Sequence, residues 1–138
     1  MSQWRVTITD NRIPELIQRL PVETDNIVQK IANDILAYVV NSMAGAKHGR
    51  LYQRGKIVHQ ASAPSEPPAI DTGHLANSIQ AQKVKVGSAR INVGAAYGVN
   101  LELGTSKMAA RPFLKPAAEH AWPIFKTAIG ELFKRLAR

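Results

Sequence analysis

The stretch "LELGTSKMAARPFLKPA", Leu101 to Ala117, decides how the chain is built. An apolar run carrying one acid, Glu102, ends at Gly104, a small polar loop with Lys107 follows, and Arg111-Pro112-Phe113 opens a new apolar segment. Gly104 suits the left-handed C′ position after a short helix over Ala95 to Leu103, where a Cβ would cost on the order of 1 kcal/mol. Pro112 suits the first turn of the next helix, because its missing N–H would have no partner there anyway. Phe113 is the expected hydrophobic anchor. A stiff crossing of this kind joins a short helix to a long one.

Downstream, "RPFLKPAAEHAWPIFKTAIGELFKRLAR" predicts a long helix. Phe113, Ala117, Ala121, Phe125, Ile129, Leu132, Phe133 and Leu136 form its apolar stripe, Pro123 is expected to kink it, and Lys134, Arg135 and Arg138 suit the C-terminal end of its dipole. Upstream, "QAQKVKVGSARINVGA" alternates Val84 and Val86 with Lys83 and Lys85, turns at Gly-Ser, and alternates Ile91 and Val93 with Arg90 and Asn92. That pattern predicts a hairpin with one face buried. "DTGHLANSI" before it reads as a turn or a single helical turn.

The strongest periodicity lies nearer the N-terminus. Ile27, Val28, Ile31, Ile35, Val39 and Met43 recur at three- and four-residue spacing, which predicts an amphipathic helix over Glu23 to Ala44 with Gly45 as its stop. Before it, Trp4 to Thr9 has the composition of a strand. Asp10 or Asn11 is placed to cap a short helix bearing Ile13, Leu16, Ile17 and Leu20 and ended by Pro21. Between the long helix and Gly73, the segment 45–73 keeps no period and is rich in Gly, Pro, Ser and basic residues. Loops of that length in a small domain usually serve binding, so it is expected to be a projecting arm with a short β-ribbon around Leu51 and Ile57. The fold class predicted is α+β: an antiparallel sheet against two long helices, one domain over 1–138, with the arm.

Composition narrows the function classes. The chain has 138 residues, 18 Lys+Arg against 10 Asp+Glu, and a formal charge of +8. A domain of this length buries roughly 68–70% of the surface its unfolded chain exposes, so a real core is available. The positive charge admits nucleic acid, an acidic protein or an anionic surface as partner. There is no cysteine, which excludes disulfides and thiolate metal sites. No run of 18 or more apolar residues exists and the N-terminus has no apolar signal core, so a soluble chain made in the cytoplasm, without a membrane partner, is expected.

Two stretches imitate catalytic motifs. "AIDTG", residues 69–73, has the form of an aspartic protease nucleus, but it occurs once, is followed by His74 and lies in a proline-rich segment. Asp71 or Thr72 capping the turn at Gly73 is the simpler account. "GRLYQRGKI", Gly49 to Ile57, spaces its glycines one residue too far for a phosphate-binding loop and puts Ile57 where a magnesium-holding hydroxyl belongs. His48, His59, His74 and His120 show no metal-ligand spacing. No catalytic residue, cofactor or metal is expected. The basic residues Lys47, Arg50, Arg54 and Lys56, interleaved with Tyr52, suit either an acidic protein rim or a phosphate backbone, and no recognised nucleic-acid motif surrounds them. Glu102 has Lys107 and Arg111 close in sequence, which makes an ion pair across the loop or across a subunit boundary an expectation.

"YGVNLELGTSKMAARPFLKPA", Tyr97 to Ala117, resembles the hallmark of the gene-product-ten-like neck and tail-completion proteins of long-tailed double-stranded DNA phages. "SAPSEPPAIDTGHLANSI", Ser62 to Ile79, is similar to that family's upstream element. Order, spacing and flanking helices agree over essentially the whole chain, with Leu103 departing where the family often carries an aromatic. The resemblance implies a non-enzymatic virion protein, assembled in the host bacterial cytoplasm. It further implies a ring, usually six-fold, at the head–tail junction, with head-connector and tail-tube proteins as partners and genomic DNA nearby. A basic DNA-binding module of a phage or prophage is the alternative.

Overall fold

The structure, a computed structural model, describes residues 13–138. The strand expected at Trp4 to Thr9 and the cap expected at Asp10 or Asn11 lie outside the described residues. The first element is a single helix, α1 (Ile13–Ala44), which runs through Pro21 without a break. The expected stop at Pro21 is therefore overturned. A proline inside a helix costs about 3 kcal/mol through the lost backbone bond and ring crowding. Here the helix is held on both sides of it: Arg19 bridges Glu15 and Glu23, and Glu23 also pairs with Arg135 of the last helix at 2.8 Å.

A two-stranded ribbon follows, β1 (Leu51–Arg54) and β2 (Ile57–Gln60), antiparallel, with Arg54 opposite Ile57 across a two-residue turn. A short helix α2 (His74–Ser78) leads into β3 (Ile79–Lys85), which pairs antiparallel with β4 (Ser88–Val93). The register slips between Lys83 and Lys85, leaving Val84 as a bulge. The two two-stranded sheets are the ribbon expected around Leu51 and Ile57 and the expected hairpin, and they do not pair with each other. The fold class is mixed α+β, with helices packed on a sheet. Helix α3 (Gly98–Leu103) is shorter than the span Ala95 to Leu103, because Ala95 to Gly98 is spent in a turn closed by Gly98 N–H donating to Ala95 O at 3.0 Å. Helix α4 (Leu114–Leu136) ends the chain.

Helices α1 and α4 lie antiparallel, with Glu23 against Arg135 at one end and Tyr38 stacked on His120 further along, ring centroids 4.6 Å apart. Ala117, Ala121 and Leu132 are the fully covered residues of α4, and two alanines one turn apart let the helix axes approach closely. Phe133, expected in the stripe, is exposed: it sits one residue, about 100°, round the helix from Leu132. The central cluster joins Val39 and Met43 of α1, Leu75, Ile79, Ala95, Phe113 and Ala117. The β3–β4 hairpin covers α1 with Ile79, Ile91 and Val93, but Val84 and Val86 at its tip face solvent. The bulge re-aims the strand end, so its apolar alternation stops short of the core. Asp25 of α1 fixes that tip instead, accepting from Lys83 Nζ and from Gly87 N–H at 3.0 Å.

Candidate functional site

The crossing between α3 and α4 is built by Glu102. Its carboxylate accepts from the backbone N–H of Phe113 at 2.8 Å, Leu114 at 3.0 Å and Lys115 at 2.9 Å. These are among the donors that a helix leaves without internal partners at its N-terminus, and a negative charge there also complements the dipole. Glu102 is therefore a cap supplied by a neighbouring helix. The expected ion pair to Lys107 or Arg111 is absent among the described residues, because the carboxylate is already saturated by the α4 amides.

Gly104 ends α3 with φ 76° and ψ 175°. The expectation of a left-handed helical C′ conformation is thus corrected to an extended positive-φ conformation, a region open essentially to glycine alone. A Cβ there would stand 2.8 Å from Ala110 N. Pro112 lies one residue before the N-cap, Phe113, so it sets the approach to α4 without belonging to its first turn; Pro116 occupies that turn. Phe113 is the anchor expected, 1% exposed in the central cluster.

The segment 45–73 is closed mainly on itself and is joined to the loop before α4 at Ser65. Gly49 N–H donates to Ala61 O at 2.9 Å, Ala61 N–H to Arg50 O at 3.0 Å and Ser65 N–H to Ala110 O at 3.1 Å. The carboxylate of Glu66 gathers the two ends. It accepts from His48 N–H at 3.1 Å and Ala63 N–H at 2.7 Å and meets the His48 ring. These bonds, the Ala63 amide first and His48 next, hold its pKa down from 4.5 to about 2. The ribbon 51–60 carries the exposed apolar side chains of this segment, with Leu51, Ile57 and Val58 at 62–64% exposure.

The expected interface residues fall into two groups. Lys47 is half-buried and donates to Ser42 O at the end of α1, and burial lowers its pKa. Arg54 pairs with Asp71 at 2.5 Å, and His59 Nε2 lies 3.6 Å from the same carboxylate. Tyr52 stacks on His59 at 5.6 Å, and its pKa is raised by desolvation and by the nearby Asp71 charge. These residues tie the ribbon to the loop before α2. Arg50, Lys56 and Lys107 remain exposed. Asp71 therefore does not cap α2; the N-cap is Gly73 at φ 81°, and Thr72 Oγ1 accepts only a 3.4 Å bond from His74 N–H.

A cleft of about 470 Å³ opens beneath the ribbon, lined by Tyr52, Arg54, Asp71, His74, Tyr97 and Arg111. A second, apolar groove of about 340 Å³ lies between β4, α3 and the start of α4, with Val93, Val99, Leu103 and Leu114 on its walls. Leu103 is 74% exposed there. Among the described residues no group of three or more His, Asp or Glu side chains is placed to hold a metal ion, and no helix is long and apolar enough to cross a membrane. Sequence reasoning missed Glu66, His59 and Asp25 as organising residues. Their side-chain partners His48, Asp71 and Lys83 lie 18, 12 and 58 positions away, and no local pattern announces such pairs. No family model, no curated protein and no solved structure matches the chain.

Proposed function

We propose that this chain is a structural virion subunit. It forms a ring, hexameric in the simplest case, at the junction between the head and tail of a long-tailed phage, where it terminates the tail and joins it to the head connector. The observation that carries the proposal is the ribbon: Leu51, Ile57 and Val58 are held in solvent on strands whose base is clasped by Glu66 and whose turn end is tied by Arg54–Asp71. A monomer gains nothing from ordering apolar side chains in water. The groove at Val99 and Leu103 is a second exposed apolar surface sharing no residue with the ribbon. A protein with two different sticky surfaces associates head to tail, which closes into a ring when the rotation permits. The likeness of Ser62 to Ile79 and of Tyr97 to Ala117 to neck and tail-completion proteins supports the same reading.

The DNA-binding alternative loses ground, since Lys47 and Arg54 are engaged by intramolecular acceptors, leaving Arg50 and Lys56 as the arm cations without one among the described residues. Mass photometry and negative-stain imaging, with and without purified tail tubes, test the assignment. Annular particles, or a monomer that becomes an annulus on the tube end, are expected. A permanent monomer that ignores both head and tail overturns it.

A further inference from the structure

Arg111 is a cation without an acceptor. Its backbone is fixed by Arg111 N–H donating to Leu101 O at 2.7 Å, while its half-buried side chain lines the cleft under the ribbon and its enclosed Nε makes no hydrogen bond. The other arginine of the cleft, Arg54, is matched by Asp71. An enclosed Nε–H without an acceptor is unfavourable, and a carboxylate is the group whose geometry best fits the remainder of the guanidinium, which lines the open cleft.

We propose that this cleft receives a carboxylate side chain from an acidic segment of a different protein, seated on Arg111 with its flanking apolar side chains against Ile70, Tyr97 and Leu101. A nucleic-acid backbone suits the cleft poorly. One unmatched cation cannot follow a row of phosphates. A second copy of this chain is a poor donor as well. Each acid of the described residues already has a partner, the exposed Asp34, Glu119 and Glu131 in lysine pairs and Glu66 and Glu102 on backbone amides. The +8 charge of the chain favours an acidic partner from outside. The proposal does not depend on ring formation: rings that assemble around an inert Arg111 would defeat this inference alone.

The test is an NMR titration of the full-length ¹⁵N-labelled protein. The probes are the acetylated tripeptide amide Leu-Glu-Leu, its Leu-Gln-Leu counterpart, inorganic phosphate and a mixed-sequence DNA duplex. Leu-Glu-Leu is expected to move the Arg111 Nε–H resonance and the Tyr97 and Leu101 amides with a Kd of about 1–10 mM, as suits so small a ligand. The glutamine peptide should bind at least about tenfold more weakly. Arg111→Met should abolish the shifts, and Arg111→Lys, which keeps charge but loses the fork, should weaken binding roughly tenfold. If Arg111→Met fails to fold, the lysine variant and the Glu-against-Gln comparison on the unaltered protein decide. Silence at Arg111 with every probe, shifts that persist in Arg111→Met, or a response to phosphate or duplex in place of the peptide would each overturn the proposal.

Discussion

Glu102 illustrates how one side chain settles a local geometry. Because three amides of α4 converge on its carboxylate, Glu102→Ala leaves them with no acceptor in a half-covered site, and a loss of about 1–3 kcal/mol is expected. Glu102→Gln keeps one acceptor oxygen and should recover part of that loss; urea unfolding of the three proteins measures both. Gly104 is the companion case. Gly104→Ala must force a Cβ within 2.8 Å of a backbone nitrogen in a conformation that other residues avoid, so a loss of roughly 1–3 kcal/mol is expected. A melting temperature unchanged by this substitution would show that the crossing is slack. Phe113 completes the set as the buried anchor, and its truncation to alanine should cost about 3–5 kcal/mol in the same assay.

Among elements, the segment 45–73 is held at its base by a titratable group, Glu66. Glu66 titrates near 2 when folded and near 4.5 otherwise, so its folded pKa is depressed. The stabilisation it gives is complete above about pH 4.5 and is lost as pH falls toward 2. Asp25, held low by Lys83 and Gly87, acts in the same direction at the β3–β4 tip. The amide resonances of His48 and Ala63 are expected to hold their positions down to pH 4.5 and to move with a midpoint near 2. A midpoint at the ordinary value instead would mean that Glu66 does not clasp the base of the arm.

At the scale of the whole molecule, the ribbon offers the sharpest separation of folding from assembly. Leu51, Ile57 and Val58 contribute little to the fold because they are mostly in water. Ile57→Lys with Val58→Lys should therefore change the stability of the monomer by no more than about 0.5 kcal/mol, as other surface changes do, while abolishing annular particles. Mass photometry beside thermal unfolding checks the two arms together. Loss of stability without loss of rings would place the ribbon in the core of the protomer.

The periodic apolar pattern of residues 27–43 and of α4 was legible without coordinates, as were both hairpins and the stop at Gly104, because each depends on neighbours a few positions apart. Burial of Phe113 followed from its place after a stiff turn. Continuity of α1 through Pro21 was not legible, since the packing that offsets a proline comes from a helix 112 residues further on. The acids were misplaced for the same reason: Glu102 and Asp71 sit beside plausible local partners, yet their actual partners were chosen by the docking of α4 and by the folding back of the ribbon. Sequence alone determined the type of the strongly periodic segments and which residue types each presents. Only the tertiary structure decided which charges meet, because electrostatic and hydrogen-bond partners are set by distances in space and not by separation along the chain.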